Sequence, residues 1–140
     1  LESGVSFTKL EPDTSERFVG LRRALGVSTF GLNQMVLQPG QQGRIHRHER
    51  QEEVFLVLEG ALTLAIEAEE HTLGPGELVR VAPDLRRRLL NRGTGRCVVI
   101  AMGGATPHEG RDGVAYASWD STEGLTPQEI PLPGDLPAAE

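Results

Sequence analysis

Gly40-Gln-Gln-Gly-Arg-Ile-His46-Arg-His48-Glu-Arg-Gln-Glu-Glu53-Val-Phe-Leu-Val-Leu-Glu-Gly60 is the stretch on which the reading of this chain turns. It holds two of the four histidines, one residue apart. In a strand, residues two apart face the same way, so His46 and His48 can aim both imidazoles at one point. Glu53 can bring a carboxylate to that point if the backbone turns between them. Two imidazoles and a carboxylate on one side of an ion, with other positions open, suit non-haem Fe(II) and serve Zn, Mn, Ni or Co nearly as well. A bare H-x-H in a charged turn is otherwise an ordinary surface feature. The surroundings therefore have to decide.

Outward from this stretch the chain reads as short strands punctuated by glycine and proline, with no convincing helical stretch. Arg17–Leu25 and Thr29–Leu37 read as strands separated by Gly26. Pro39-Gly40 is a turn, and Gly43–His48 begins the strand bearing the histidines. Glu53–Leu58 is apolar on both parities, Phe55 and Val57 on one face and Val54, Leu56 and Leu58 on the other. Such a strand needs cover on its outer side. Ala61–Ile66 alternates and meets an acidic hairpin tip at Glu67–Glu70, followed by His71-Thr-Leu73; Gly74-Pro-Gly76 turns into Glu77–Val81. After a turn at Asn91–Gly95 comes the last core strand, Arg96–Met102. Antiparallel strands at this spacing suit an all-β sandwich or barrel, and closure removes exposed edges.

The stretch resembles the first motif of the cupin family: G, five residues, H-x-H, three or four residues, E, six residues, G. Gly40, His46, His48, Glu53 and Gly60 meet every fixed position. The family's second motif, G-x5-P-x-G-x2-H-x3-N, is opened by Gly76 and closed by Asn91, but between them the chain departs. Ala82 stands where the proline belongs, Asp84 replaces the glycine, and Arg87 replaces the histidine. The resemblance implies a double-stranded β-helix, a small jelly-roll barrel with its site inside. Its core would be residues 27–104, flanked by an N-terminal strand or arm, 1–26, and a C-terminal irregular segment and Pro-rich tail, 105–140.

Arg87 governs the functional expectation. In metal-binding cupins the second-motif histidine is the fourth protein ligand, and a guanidinium, always charged and donor-only, cannot ligate. In one account His46, His48 and Glu53 hold a divalent transition metal (Fe, Mn, Ni, Zn or Co) alone, and Arg87 swings aside or holds an anionic substrate. In another, Arg87 replaces the metal electrostatically through a bidentate pair with Glu53. In the third, Arg87 points outwards with Arg86 and Arg88 as a solvated charge run. Counting back from Asn91 puts it at an inward position.

Composition fits one domain with a single core: 140 residues, net charge −6, pI near 5.2. The acidic balance argues against nucleic acid or an anionic membrane as partner. The basic residues are nearly all arginine, Lys9 being the exception, and they crowd between Arg44 and Arg96. Cys97 is alone, so no intrachain disulfide forms, and its apolar neighbours mark it as a buried small hydrophobe. No apolar run reaches membrane-spanning length and no signal-peptide pattern opens the chain, so a cytoplasmic setting is expected. Tyr116 and Trp119 lie close together and suggest an anchor against the barrel or a partner; Pro127, Pro131, Pro133 and Pro137 mark an extended tail. His71 and His108 read as ordinary loop or hairpin histidines.

Function has to be argued from the site. One expectation is a metal-dependent oxygenase, isomerase or decarboxylase in which Arg87 clamps a small anionic substrate. Another is a metal-free binding or sensor module holding a small acidic or sugar-like ligand through Arg87, the histidines and an apolar wall including Phe55. A purely structural domain is the third. Against it, burying His46, His48 and Glu53 together without a cation costs several kcal/mol. The outer row Val54, Leu56, Leu58 predicts a homodimer, with Val5–Leu10 of the arm or the tail around Trp119 as competing covers.

Overall fold

The computed structural model describes residues 4–105 and 112–137; His108 lies outside them. Two five-stranded sheets face each other. The first runs in the order β1 (Phe18–Gly20), β2 (Gly31–Leu37), β9 (Cys97–Gly104), β4 (Glu52–Glu59), β7 (Leu78–Val81). The second runs β10 (Gly113–Tyr116), β3 (Ile45–His48), β8 (Arg87–Leu90), β5 (Leu62–Ile66), β6 (Glu69–Leu73). Apart from the β1–β2 and β5–β6 neighbours, consecutive strands lie in different sheets, so β3 and β4, which carry the motif residues, belong to opposite walls. This is the double-stranded β-helix expected from the motif, all pairs being antiparallel.

Strand parity builds the core between the walls. Phe55 and Val57 of β4 pair with Ala101 and Val99 of β9, and all are buried with Leu37, Leu62, Leu64, Leu89 and Cys97. Motif glycines sit where the chain must turn. Gly60 has φ +76° and its Cβ position is 2.2 Å from the Arg96 carbonyl oxygen, so a side chain there would collide with backbone. Asn91, fully buried, donates through Nδ2 to the carbonyls of Leu37 and Gly95 and accepts from the Gly93 N–H. The closing glycine of the first motif and the closing asparagine of the second are thus turn devices.

Two local readings differ. Arg17–Leu25 is not one strand: after β1 the chain enters a single helical turn, α1 (Arg22–Leu25), closed by left-handed Gly26 whose N–H caps the last carbonyls. The stretch after Gly104 contains β10, paired with β3 throughout its length. Its four residues are too few to show an alternation above their polar surroundings.

Terminal segments cover the outer faces. Gln34, Ile100, Leu56 and Leu78 form one outward cross-strand row on the first sheet. Gln34 is nonetheless fully buried, because Glu11 of the N-terminal arm lies on it, exchanging two backbone-like hydrogen bonds of 2.7 and 2.8 Å with its amide. On the second sheet the tail is pinned by arginines: Arg44 donates to Ile130, and Arg86 to the carbonyls of Trp119 and Ser121. Arg86 also stacks on Tyr116, 3.8 Å from the ring centre, while Arg47 donates to the Tyr116 hydroxyl. Arg44, Arg47 and Arg86 thus anchor the C-terminal segment to the barrel. The tail, extended apart from a 3-10 turn at Pro127–Glu129, ends with the Leu136 N–H on the Gly40 carbonyl.

Candidate metal centre

His46 and His48 occupy alternate positions of β3 and face inwards; Glu53 is the second residue of β4, on the same inward face as Phe55. The turn at 49–51 carries the chain from one wall to the other and brings the three together. Their ligand atoms all lie within 4.8 Å of one another. His46 Nε2 is 3.6 Å from Glu53 Oε1, and His48 Nε2 is 3.5 Å from Glu53 Oε2. The rings meet edge to face with centroids 5.3 Å apart.

The opposite nitrogen of each ring fixes its protonation. His46 Nδ1 is 3.2 Å from the Arg44 carbonyl, and His48 Nδ1 is 2.8 Å from Asp112 Oδ1. A carbonyl and an ionised carboxylate only accept, so both Nδ1 atoms carry hydrogen. When the rings are neutral, both Nε2 lone pairs then point at an anionic carboxylate. That arrangement is repulsive unless a cation or additional protons lie between them. Ligand atoms about 2.0–2.1 Å from a tetrahedral ion stand roughly 3.3–3.4 Å apart, close to the two separations found here. Glu53 Oε1 is buried without a hydrogen-bond partner, as expected of an oxygen left for an ion. The donor set therefore fits a divalent metal.

Electrostatics agree. Burial pushes the Glu53 carboxyl up, but the His46 and His48 rings outweigh it and hold the group well below the usual carboxylate range. Burial pulls His48 down, yet Glu53 and Asp112 together raise it above the ordinary imidazole value, with Arg87 working against them. Without metal, a proton on His48 supplies part of the missing cation.

Arg87 faces inwards, directly opposite His46 in the β3–β8 pair, and is fully buried. The solvated charge run does not include it. Its terminal nitrogens donate to the carbonyls of Pro83 (3.1 Å), Leu85 (2.7 Å) and Ala82 (3.2 Å). Only Nε turns to Glu53, 3.4 Å from Oε1 and without hydrogen-bond geometry. The contact is an ion pair through one atom, not the bidentate fork considered from the sequence. Burial pulls the Arg87 pKa down, with Glu53 and Asp112 opposing it, and a guanidinium stays charged at any physiological pH. Phe55, expected in a ligand wall, is packed into the apolar core with 1 % of its surface exposed.

Sequence reasoning missed Asp112. Its carboxylate accepts from His48 Nδ1 and Gln51 Nε2 on Oδ1, and from the backbone N–H groups of Arg50 and Gln51 on Oδ2. Its carbonyl accepts from the Glu49 N–H. Nothing in the local sequence ties residue 112 to residue 48; the one available signal was the short Val114-Ala-Tyr116 run beside it. A cleft of about 630 Å³ opens at the Glu52–Gly104 end of the first sheet, bordered by Arg50, Glu52, Arg80 and Pro83. The triad is adjacent in sequence to this lining but does not form it.

The sequence matches the model of the cupin domain over residues 33–103, half of the chain, spanning both motifs. Among solved structures, a sugar phosphate isomerase of the cupin superfamily from Silicibacter pomeroyi is similar, with 28 % identity and a TM-score of 0.60 over 83 % of this chain and 79 % of that one. A protein from Acidithiobacillus ferrooxidans, provisionally named a sugar phosphate isomerase, is 25 % identical with a TM-score of 0.59 over 71 % of this chain; this chain spans only 62 % of its length. A cupin protein from Bacteroides fragilis shares the fold across its whole length, with a TM-score of 0.66, 89 % of this chain covered and 19 % identity. No curated protein matches the sequence. With the domain match, the two facing sheets of a double-stranded β-helix and the complete first motif all in one chain, this protein belongs to the cupin family.

Proposed function

We propose that this cupin binds one divalent metal through His46, His48 and Glu53 and acts on a small anionic molecule, with isomerisation of a sugar phosphate as its reaction class. The observation that carries the reading is the pair of imidazoles, each presenting Nε2 to one oxygen of an ionised Glu53, of which Oε1 is buried without a hydrogen-bond partner. Such a site demands a cation. The reaction class rests on the isomerase-named cupins at 25 % and 28 % identity.

Each side chain has a distinct part. His46 and His48 offer neutral nitrogen donors, and Glu53 a charged oxygen. When bound, the ion would act as a Lewis acid towards a carbonyl or enediolate oxygen. Arg87 stands where a fourth ligand would be expected, so coordination positions are left for substrate. Three of its N–H groups are spent on the 82–85 carbonyls, which holds the cation in place beside Glu53. We assign it to steadying Glu53 and to adding positive potential for an anionic substrate from its buried position behind the site. Phe55 supports the floor of the site from the core. The setting we assign is cytoplasmic; among the described residues no helix is long and apolar enough to cross a membrane.

The test is an isomerase assay on a panel of aldose and ketose phosphates, with metal added and with chelator. Turnover that needs metal and is lost in His46→Ala supports the reading; turnover unaffected by chelator contradicts it. A second reading keeps the barrel metal-free, with Arg87 and ring protons as the cations. It draws on the burial of Arg87 Nε against Glu53. Binding of a sugar phosphate by chelated protein, with no metal-dependent turnover, would favour it.

A further inference from the structure

We infer that Asp112 is a positioning residue of this centre: it holds His48 in the Nδ1–H form and ties together the turn between the two ligand strands. The inference rests on the metal reading above and names the group that makes the site open to a dication beside Arg87. The carboxylate is buried and saturated. Oδ1 accepts from His48 and the Gln51 side chain at 2.8 and 2.6 Å, and Oδ2 from the Arg50 and Gln51 N–H groups at 2.8 Å each. The same residue thus orients the ligand at the end of β3 and organises the turn that delivers Glu53 at the start of β4.

The two histidines are unequal in this respect. His46 has only a neutral carbonyl behind it, at 3.2 Å, whereas His48 has a carboxylate. A carboxylate behind a ligating imidazole fixes its tautomer and makes it a stronger donor. Charge points the same way. Near the site the carboxylates of Glu53 and Asp112 stand against the single guanidinium of Arg87. Asp112 offsets the guanidinium that replaced the fourth ligand.

Asp112→Asn is a sharp probe, because both ends of the carboxylate accept. An amide must turn its NH2 either to the two backbone N–H groups, which is repulsive, or to His48 and the Gln51 side chain, whose amide must then flip to present its oxygen. In the second arrangement His48 Nδ1 becomes the acceptor and its proton moves to Nε2, blocking ligation. The experiment is ring-nitrogen NMR of the full-length chain in mildly alkaline buffer without metal, with calorimetric zinc titration of wild type and D112N. We expect Nδ1–H at both rings in wild type. In D112N we expect Nε2–H at His48 alone, with zinc affinity about 10- to 100-fold weaker. A folded D112N that keeps the wild-type His48 tautomer and zinc affinity within a factor of about three overturns the inference. If D112N does not fold, the wild-type spectrum decides: Nε2–H at His48 overturns it and Nδ1–H supports it. If wild type takes up no zinc, the metal reading fails, and the tautomer comparison alone still decides whether Asp112 fixes His48.

Discussion

His46 and Arg87 are register partners across β3 and β8, so a metal-ligand candidate and a permanent cation share one inward cross-strand position. The barrel accommodates both because the Arg87 head is drawn towards the 82–85 turn, where three carbonyls take its N–H groups. Only Nε remains against Glu53. The degenerate second motif has become a built-in arginine socket, and the lost proline–glycine turn supplies the carbonyls that line it.

Arg87 substitutions should separate structure from metal binding. At about 4 Å and an effective dielectric of about 20, a pair such as Arg87–Glu53 is worth roughly 4 kcal/mol before desolvation. Arg87→Met should therefore destabilise the fold by about 3–5 kcal/mol, since Glu53 loses its ion-pair partner and three carbonyls lose donors inside the barrel. Arg87→His restores the family pattern and should raise zinc affinity while still lowering Tm. Chemical denaturation and calorimetry read the two effects. An R87H protein with unchanged zinc affinity would place residue 87 outside the reach of the ion.

The pH dependence of stability should reverse in sense when metal is added. Glu53 is held below its ordinary value, so its contribution is present above about pH 4.3 and is lost as pH falls towards its depressed pKa. His48 is held above its ordinary value, so its contribution is complete below about pH 6.5 and fades as pH rises through the raised pKa. Between about pH 5 and about pH 8, where Glu53 stays ionised, metal-free protein should thus lose support from this cluster as pH rises. Zinc needs Nε2 unprotonated, so its increment in Tm should grow across the same rise. Thermal melts at about pH 5 and about pH 8, with and without zinc, check both signs. A larger zinc increment at the acidic pH contradicts the account.

The protein should be a homodimer through the outer face of the first sheet. Glu11 covers Gln34, but Leu58 and Leu78 remain 41 % and 61 % exposed, and Phe7 of the arm 76 %. Apolar area of this kind on one face is suited to a self-complementary contact. Light scattering at micromolar concentration should give twice the chain mass. Leu78→Asp should weaken the dimer without moving the zinc affinity. A monomer mass for wild type would leave the arm as the sole cover of that face.

The sequence displayed the candidate ligand cluster because it is local: strand parity aligns His46 with His48, and one short turn brings Glu53 to them. Arg87 was legible too, by counting back from Asn91, although only the structure shows where its N–H groups go. Asp112 was not, since it reaches His48 through the β10–β3 pairing of segments far apart in the chain. The same holds for cover. Gln34 sits in an alternating strand like any outward polar residue, and nothing local indicates that Glu11 will bury it. The break at α1 went unread because one helical turn is too short to show a period.

Metal stoichiometry tests the central claim most directly. Purified wild type, stripped with chelator and dialysed against zinc or manganese, should retain about one ion per chain by elemental analysis, and His46→Ala and Glu53→Gln should retain none. A wild type that retains no ion, or a His46→Ala protein that retains as much as wild type, contradicts the assignment of His46, His48 and Glu53 as a metal centre.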